Sequence, residues 1–177
     1  MIIRRETPAD IAAIADVHRH AFDGDEPAEV SLVDTLRGHP SWIPELSLVA
    51  ELGTTGSDSA APNTAVVGHV CLTRAHLGDL PVLALGPIGV LPAQQGSGVG
   101  AALMHAALGG ADAMNAPLVA LLGHLDYYPR FGFVAADSIG IEPDETSWTS
   151  HFQVRPLATW RPDMTGTFRY ADPFYAL

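Results

Sequence analysis

The sequence predicts a mixed α/β sheet of six to seven strands with four flanking helices, built as a single domain over residues 1–177. Three observations predict it. Residues 82–123 read as strand, helix, strand, a crossover that requires its two strands to run parallel. Residues 46–90 read as three strands in succession, an antiparallel meander. The composition, 47% hydrophobic and 16% charged over 177 residues, is that of one globular domain with a core of its own. No internal repeat marks a second unit.

The elements follow in order. Residues 1–5 form a short strand. Thr7-Pro8-Ala9-Asp10 is a helix start, with threonine at the cap, proline at the first helical position and an acid three residues after the cap. Ile11, Ile14, Ala15 and Phe22 then keep helical spacing. A second helix runs from about Pro27 to Arg37, with Leu32, Val33 and Leu36 facing inward, and His39-Pro40 stops it. LSLVAE (46–51) and TAVVGHVCLTRA (64–75) are strands, and the Gly, Ser, Asp and Pro between them read as a long flexible hairpin loop. VLALGPIGV (82–90) is the next strand. Pro87 inside it has no N–H to give, so pairing fails or bulges there. PLVALLG (117–123) is apolar on both faces, as a central strand is. A short helix and further strands complete the chain.

Charge and cysteine content narrow the function. The net charge is −11, and all nine basic residues are arginines. An acidic surface argues against nucleic acid and anionic membrane as partners. Solubility explains most of that charge, and a cationic amine substrate is the more specific reading. Without 18 uninterrupted apolar residues there is no membrane span. MIIRRETPAD is neither a signal nor a transit peptide. The single Cys71 forms no internal disulfide, so a cytoplasmic setting is expected. The absence of lysine beside abundant alanine, glycine and proline resembles the codon bias of a GC-rich bacterium. Eight histidines raise the question of a metal. His18-x-His20 on a helix points its rings to different faces, and none are spaced as a metal site, so no metal is expected. Cys71 alternates with apolar neighbours and reads as a packing residue. The aromatic C-terminus, with Phe168, Tyr170, Phe174 and Tyr175, reads as sheet and core, with a homodimer surface as the alternative.

The most informative stretch is LPAQQGSGVGAALMHAALGG (91–110), where Gly96, Gly98 and Gly100 lead straight into a helix. Glycine inside a helix costs about 1 kcal/mol relative to alanine. A helix N-terminus offers unpaired N–H groups and about half a positive charge, which suits phosphate. Glycines let that ligand reach the backbone. Val99, Leu103, Ala106 and Ala107 give the helix its buried stripe. The P-loop pattern fails, because no lysine follows the last glycine. The dinucleotide fingerprint fits only in relaxed form, as Gly96-x-Gly98-x-x-Ala101, and lacks its acid at the end of the second strand.

Gln95-x-x-Gly98-x-Gly100, preceded by Ile88-Gly89-Val90 and Pro92, resembles the acetyl-CoA motif of the GNAT N-acetyltransferases. Tyr128-Pro-Arg-Phe-Gly132-Phe133 resembles the Tyr-x-x-x-Gly-Phe motif on that family's short fourth helix. GHLDYYPRFGF with the later TFRYADPF is most similar to the YhbS-type members. The element order fits from Met1 to about Phe133. One departure is Leu121, where many members carry an asparagine, so no asparagine contact to the cofactor is expected.

The resemblance implies a GNAT-like sheet whose parallel strands, around 82–90 and 117–123, splay apart. It implies transfer of an acetyl group from acetyl-CoA to a primary amine, a small molecule or a peptide, by direct attack. Pantetheine falls to the backbone of Ile88, Gly89 and Val90, by strand addition to an open edge. Pyrophosphate falls to the turn Gln95, Gly96, Ser97, Gly98, Val99, Gly100 and Ala101. Arg130 is assigned to the 3′-phosphate, with a plain surface arginine as the equal alternative. A backbone N–H near Val90 stabilises the oxyanion. Tyr128 takes the part of the general acid that protonates the leaving thiolate, and Tyr127 that of a packing residue. Glu29 is the first candidate for general base and His124 the second, with a water chain as the alternative. Loop 52–63, segment 23–40 and the region after Ser138 are expected to line the acceptor pocket. Two other readings stand beside this one: a non-catalytic acyl-CoA sensor and a nucleotide-dependent oxidoreductase.

Overall fold

The computed structural model describes residues 1–53 and 64–176. The expected hairpin loop lies largely in 54–63, outside the described residues. Strands β1 (Ile2–Arg5), β2 (Trp42–Gly53), β3 (Thr64–Leu77) and β4 (Leu80–Val90) run antiparallel in succession. β4 then pairs in parallel with β5 (Leu118–Leu122), and helix α3 (Val99–Ala113) makes the crossover. β5 pairs antiparallel with β8 (Phe152–Pro156), which pairs with β6 (Val134–Ala135). β7 (Ile141–Pro143) pairs with β9 (Gly166–Arg169), and β9 is tied to the end of β3. Among the described residues the mixed sheet therefore has nine strands rather than six to seven. The extra ones are short segments after Phe133, too brief to carry a periodicity.

Before α1 (Ile11–Ala21), Asp10 accepts hydrogen bonds from the Thr7 N–H at 2.7 Å and the Thr7 hydroxyl at 2.8 Å. The start is thus at the expected cap, although its first turn, Pro8–Asp10, is 3-10. The buried face of α1 is Ile14, Val17 and His18, with Ile11 39% exposed. The stripe is rotated from the expected one because a histidine occupies part of it. α2 (Ala28–Arg37) buries Leu32, Val33 and Leu36 as its spacing requires. α3 buries Leu103 and Ala107 as expected, together with Met104 and Leu108, while Ala106 is only half-buried.

α1 and α3 cover opposite faces of the sheet. A side chain at Gly68 would meet Val99 and Leu103 of α3 at 3.0 Å, and one at Gly89 would meet His18 of α1 at 2.9 Å. The expected bulge at Pro87 is present. Val70 pairs with Ile88 and Leu72 with Leu85, so β4 spends one extra residue there. Beside the bulge the parallel pairing ends. Among the described residues only Leu83–Val119 and Ala84–Ala120 pair between β4 and β5, and β4 runs on unpaired on that side to Val90. The fourth helix is a single 3-10 turn, Tyr128–Phe131, and Gly132 ends it with φ 84°.

Candidate active site

The open edge of β4 and the turn into α3 border one cavity of about 700 Å³. Its wall is Ile88, Gly89 and Val90 on one side and Gln95, Gly96, Gly98, Gly100 and Ala101 on the other. The three glycines are there for different reasons. Gly96 (φ 74°) and Gly98 (φ 92°) hold left-handed conformations that cost other residues about 1–2 kcal/mol, and among the described residues a side chain there would meet nothing within 4 Å. Gly100 is ordinary helix, but a Cβ on it would lie 3.0 Å from the Tyr127 hydroxyl. The first intrahelical bond is Ala102 N–H to Gly98 O at 3.0 Å, so the amides before it are free to face a ligand.

Two residues of the expected set brace the turn. Gln95 Nε2 donates to Val90 O at 3.1 Å, and Ser97 Oγ donates to Gln94 O at 2.6 Å. The Val99 side chain is buried in the core, leaving only its amide for a ligand. Arg130 and His124 line the cavity, with the Arg130 guanidinium 4.7 Å from the centre of the Tyr127 ring. Tyr127 also lines it, a contact the sequence does not disclose.

A second cavity, of about 450 Å³, opens where β4 and β5 diverge. Phe22, Ile88 and Tyr128 line both cavities. Tyr128 stands edge-on to Phe133, ring centres 5.8 Å apart, and its ring lies so close over Gly123 that any side chain there would overlap it. Burial, with the nearby Tyr127, pushes the Tyr128 hydroxyl up to about 12, so it remains protonated at neutral pH.

Glu29 of α2 lines the second cavity, whereas His124 lines the first. The other contributors were not anticipated individually. Glu145, Trp148, Tyr170, Phe174 and Tyr175 come from the region after Ser138. Phe168 is core, as expected of the aromatic C-terminus, but Phe174 and Tyr175 form cavity wall.

Beneath this junction runs a buried polar chain. Ser47 Oγ–H donates to Glu6 Oε2 at 2.6 Å, and Ser47 Oγ lies 2.9 Å from His69 Nε2. His69 Nδ1 is 2.8 Å from His18 Nε2, and Arg37 Nε donates to Glu6 Oε1 at 2.8 Å. Burial works to raise the Glu6 carboxyl, but hydrogen bonds from His69, Arg37 and Ser47 outweigh it and hold it down to about 2. Burial, reinforced by His69 and Arg37, pulls His18 down to about 3. An ionised Glu6 fixes the tautomers along the chain: His69 donates from Nε2, His18 donates to His69 Nδ1, and His18 Nδ1 is a bare acceptor against Gly89. That nitrogen has no hydrogen-bond partner among the described residues. Among those residues, no group of three or more His, Cys, Asp or Glu side chains is disposed to hold a metal ion. Among the same residues no helix is long and apolar enough to cross a membrane.

An open β edge beside a glycine turn, next to a second cavity, is the arrangement of a coenzyme-dependent acyltransferase, and the comparisons agree. The family model described as Acetyltransferase (GNAT) family matches residues 16–133. The chain belongs to this family and is an acyltransferase. It is similar to the uncharacterized N-acetyltransferase YjhQ of Escherichia coli strain K12, 31% identical over 173 residues, covering 93% of this chain and 89% of that one. Among solved structures it resembles YhbS from Escherichia coli in complex with CoA, with a TM-score of 0.81 and 26% identity, over 98% of this chain and 91% of that one. It also resembles a GNAT family acetyltransferase from Brucella melitensis in complex with acetyl-CoA, with a TM-score of 0.74 and 30% identity, over 98% of this chain and 97% of that one.

Proposed function

We propose that the chain binds acetyl-CoA in the glycine-turn cavity and passes the acetyl group to a primary amine held in the aromatic cavity. The observation that carries this is the shared wall: Ile88 and Tyr128 border both spaces, so a thioester at that junction would face an acceptor directly. The free N–H groups from Gly96 to Ala101 suit the pyrophosphate, and the unpaired run of β4 suits the pantetheine amides. The relatives solved with CoA and acetyl-CoA support the same ligand here.

In the reaction the acceptor arrives as an ammonium and gives one proton to the Glu29 carboxylate. The free amine attacks the thioester carbonyl, forming a C–N bond. A backbone N–H of β4 near Val90 steadies the negative oxygen. The C–S bond then breaks, Tyr128 protonates the departing sulfur, and the nitrogen, which still carries two protons after the attack, gives one to water. Glu29 ends protonated and Tyr128 deprotonated, and exchange with water restores both. Transfer is direct. The alternative nucleophile, Cys71, is fully buried, its thiol pushed up by burial and donating to Gly86 O at 3.1 Å.

Calorimetric titration with acetyl-CoA, with NAD as control, followed by thiol release in the presence of amines, tests the reading. Micromolar binding of acetyl-CoA alone and amine-dependent release are expected. Binding without release from any amine would leave a sensor, and binding of NAD instead would point to an oxidoreductase.

A further inference from the structure

We infer that the aromatic cavity selects an aryl-alkyl amine: a primary amine on an aromatic body that carries no carboxylate. This rests on the acetyl-transfer reading above.

Three observations point there. Six aromatic side chains line the space: Phe22, Tyr128, Trp148, Tyr170, Phe174 and Tyr175. The rest of its wall is mostly aliphatic. Such a wall favours a flat apolar body, which gains by stacking and by leaving water. The charged residues on the wall are Glu29 and Glu145, both acids, and no arginine or histidine joins them among the described residues. A single ammonium is attracted to these carboxylates and to the ring faces. A carboxylate on the same ligand would be repelled and would find no cationic partner. Finally, the Tyr170 hydroxyl is buried and has no hydrogen-bond partner among the described residues, although the residue lines the cavity. Native structures rarely leave such a group unsatisfied, and a ligand's polar atom is one way to complete it.

Size agrees with this class. About 450 Å³ is at the small end of ligand pockets, and it must also admit the acetyl group at Tyr128. A polyamine is the main competitor. Its additional ammonium groups would have to give up water among aromatic rings, with two carboxylates to receive them, one of them engaged as the proton acceptor.

The test is a comparison of kcat/KM, by thiol release from acetyl-CoA, for phenethylamine, phenylalanine and spermidine. Phenethylamine and phenylalanine differ only by the carboxylate. Phenethylamine is expected to exceed each of the others at least tenfold. In Glu145→Gln the preference over phenylalanine is expected to shrink at least threefold, because half of the repelling charge is gone. Faster release with spermidine or phenylalanine than with phenethylamine would overturn the class and leave acetyl transfer standing. An unchanged preference in a folded Glu145→Gln protein would overturn the role of that wall. Tight acetyl-CoA binding with no release from any amine would overturn the transfer reading and the class with it.

Discussion

The two cavities are built by opposite means. The glycine-turn cavity is made largely of backbone from one stretch of chain, Ile88 to Ala101, closed by Tyr127, Tyr128 and Arg130. The aromatic cavity is made of side chains from the end of α1, from α2, from the β4 bulge, and from residues 145–175. The first presents N–H groups and open strand edge, which suit any ligand with the matching phosphates and amides. The second presents rings and carboxylates, which discriminate. A fold can therefore keep its coenzyme while changing its acceptor, because the two depend on different residues that meet only at Phe22, Ile88 and Tyr128.

The strongest way to break the first region alone is Gly98→Val. A β-branched residue at φ 92° adds about 1–2 kcal/mol of strain, and its side chain occupies the open face of the turn. Acetyl-CoA affinity is expected to fall about 100-fold by calorimetry, which corresponds to about 2.7 kcal/mol. A change below threefold would remove the turn from the phosphate site. Next in size is the junction. Tyr128→Phe is expected to lower turnover at least tenfold while acetyl-CoA binds as before, since only the proton donor is lost. Unchanged turnover would take Tyr128 out of the mechanism.

Gly100→Ala separates the glycines from each other. Alanine improves the helix by about 1 kcal/mol, yet its methyl crowds the Tyr127 hydroxyl. A higher Tm with acetyl-CoA binding weakened about fivefold is the expected pair of results. A weakening as large as that of Gly98→Val would mean that Gly100, too, serves the ligand directly.

The same contrast explains what the sequence discloses. Gly96, Gly98, Gly132 and the Pro87 bulge are backbone demands, and each is met by residues adjacent in the chain. The strand–helix–strand order that places them was legible for the same reason. Trp148, Tyr170 and Phe174 reach the aromatic cavity through the pairing of β9 with β7 and with the end of β3, contacts between segments of three and four residues distant in sequence. No local pattern records such a pairing. Glu29 was reached through the family resemblance, which places its segment beside the acceptor, and it does line the aromatic cavity. His18 was missed as a core residue because apolar periodicity cannot register a histidine that is buried by hydrogen bonding to another histidine.

That histidine chain gives the smallest of the expected effects. His18 and His69 lie between α1 and β3, directly under Gly89 at the wall of the glycine-turn cavity. Both are held below the ordinary histidine value of 6.5, chiefly by burial. As pH falls through 6.5 the unfolded chain takes up protons that the folded protein refuses, so stability declines as pH falls. The His18 imidazole, held down to about 3, removes about 0.7 kcal/mol between pH 7 and pH 6, and His69 acts in the same direction. Glu6 adds nothing in that window, because its share is lost only as pH drops from the usual carboxylate value of 4.5 through about 2. Urea unfolding at pH 7 and pH 6 is expected to show the decline, and His18→Leu is expected to reduce it by about 0.7 kcal/mol, one imidazole's share. Equal pH dependence in the two proteins would mean that His18 takes up its proton in the folded state, and that the polar chain beneath β4 is not held neutral. An intact decline in wild type, abolished rather than reduced by His18→Leu, would instead show the two rings titrating as one unit. The support under the glycine-turn cavity would then be a coupled pair of rings rather than two independent imidazoles.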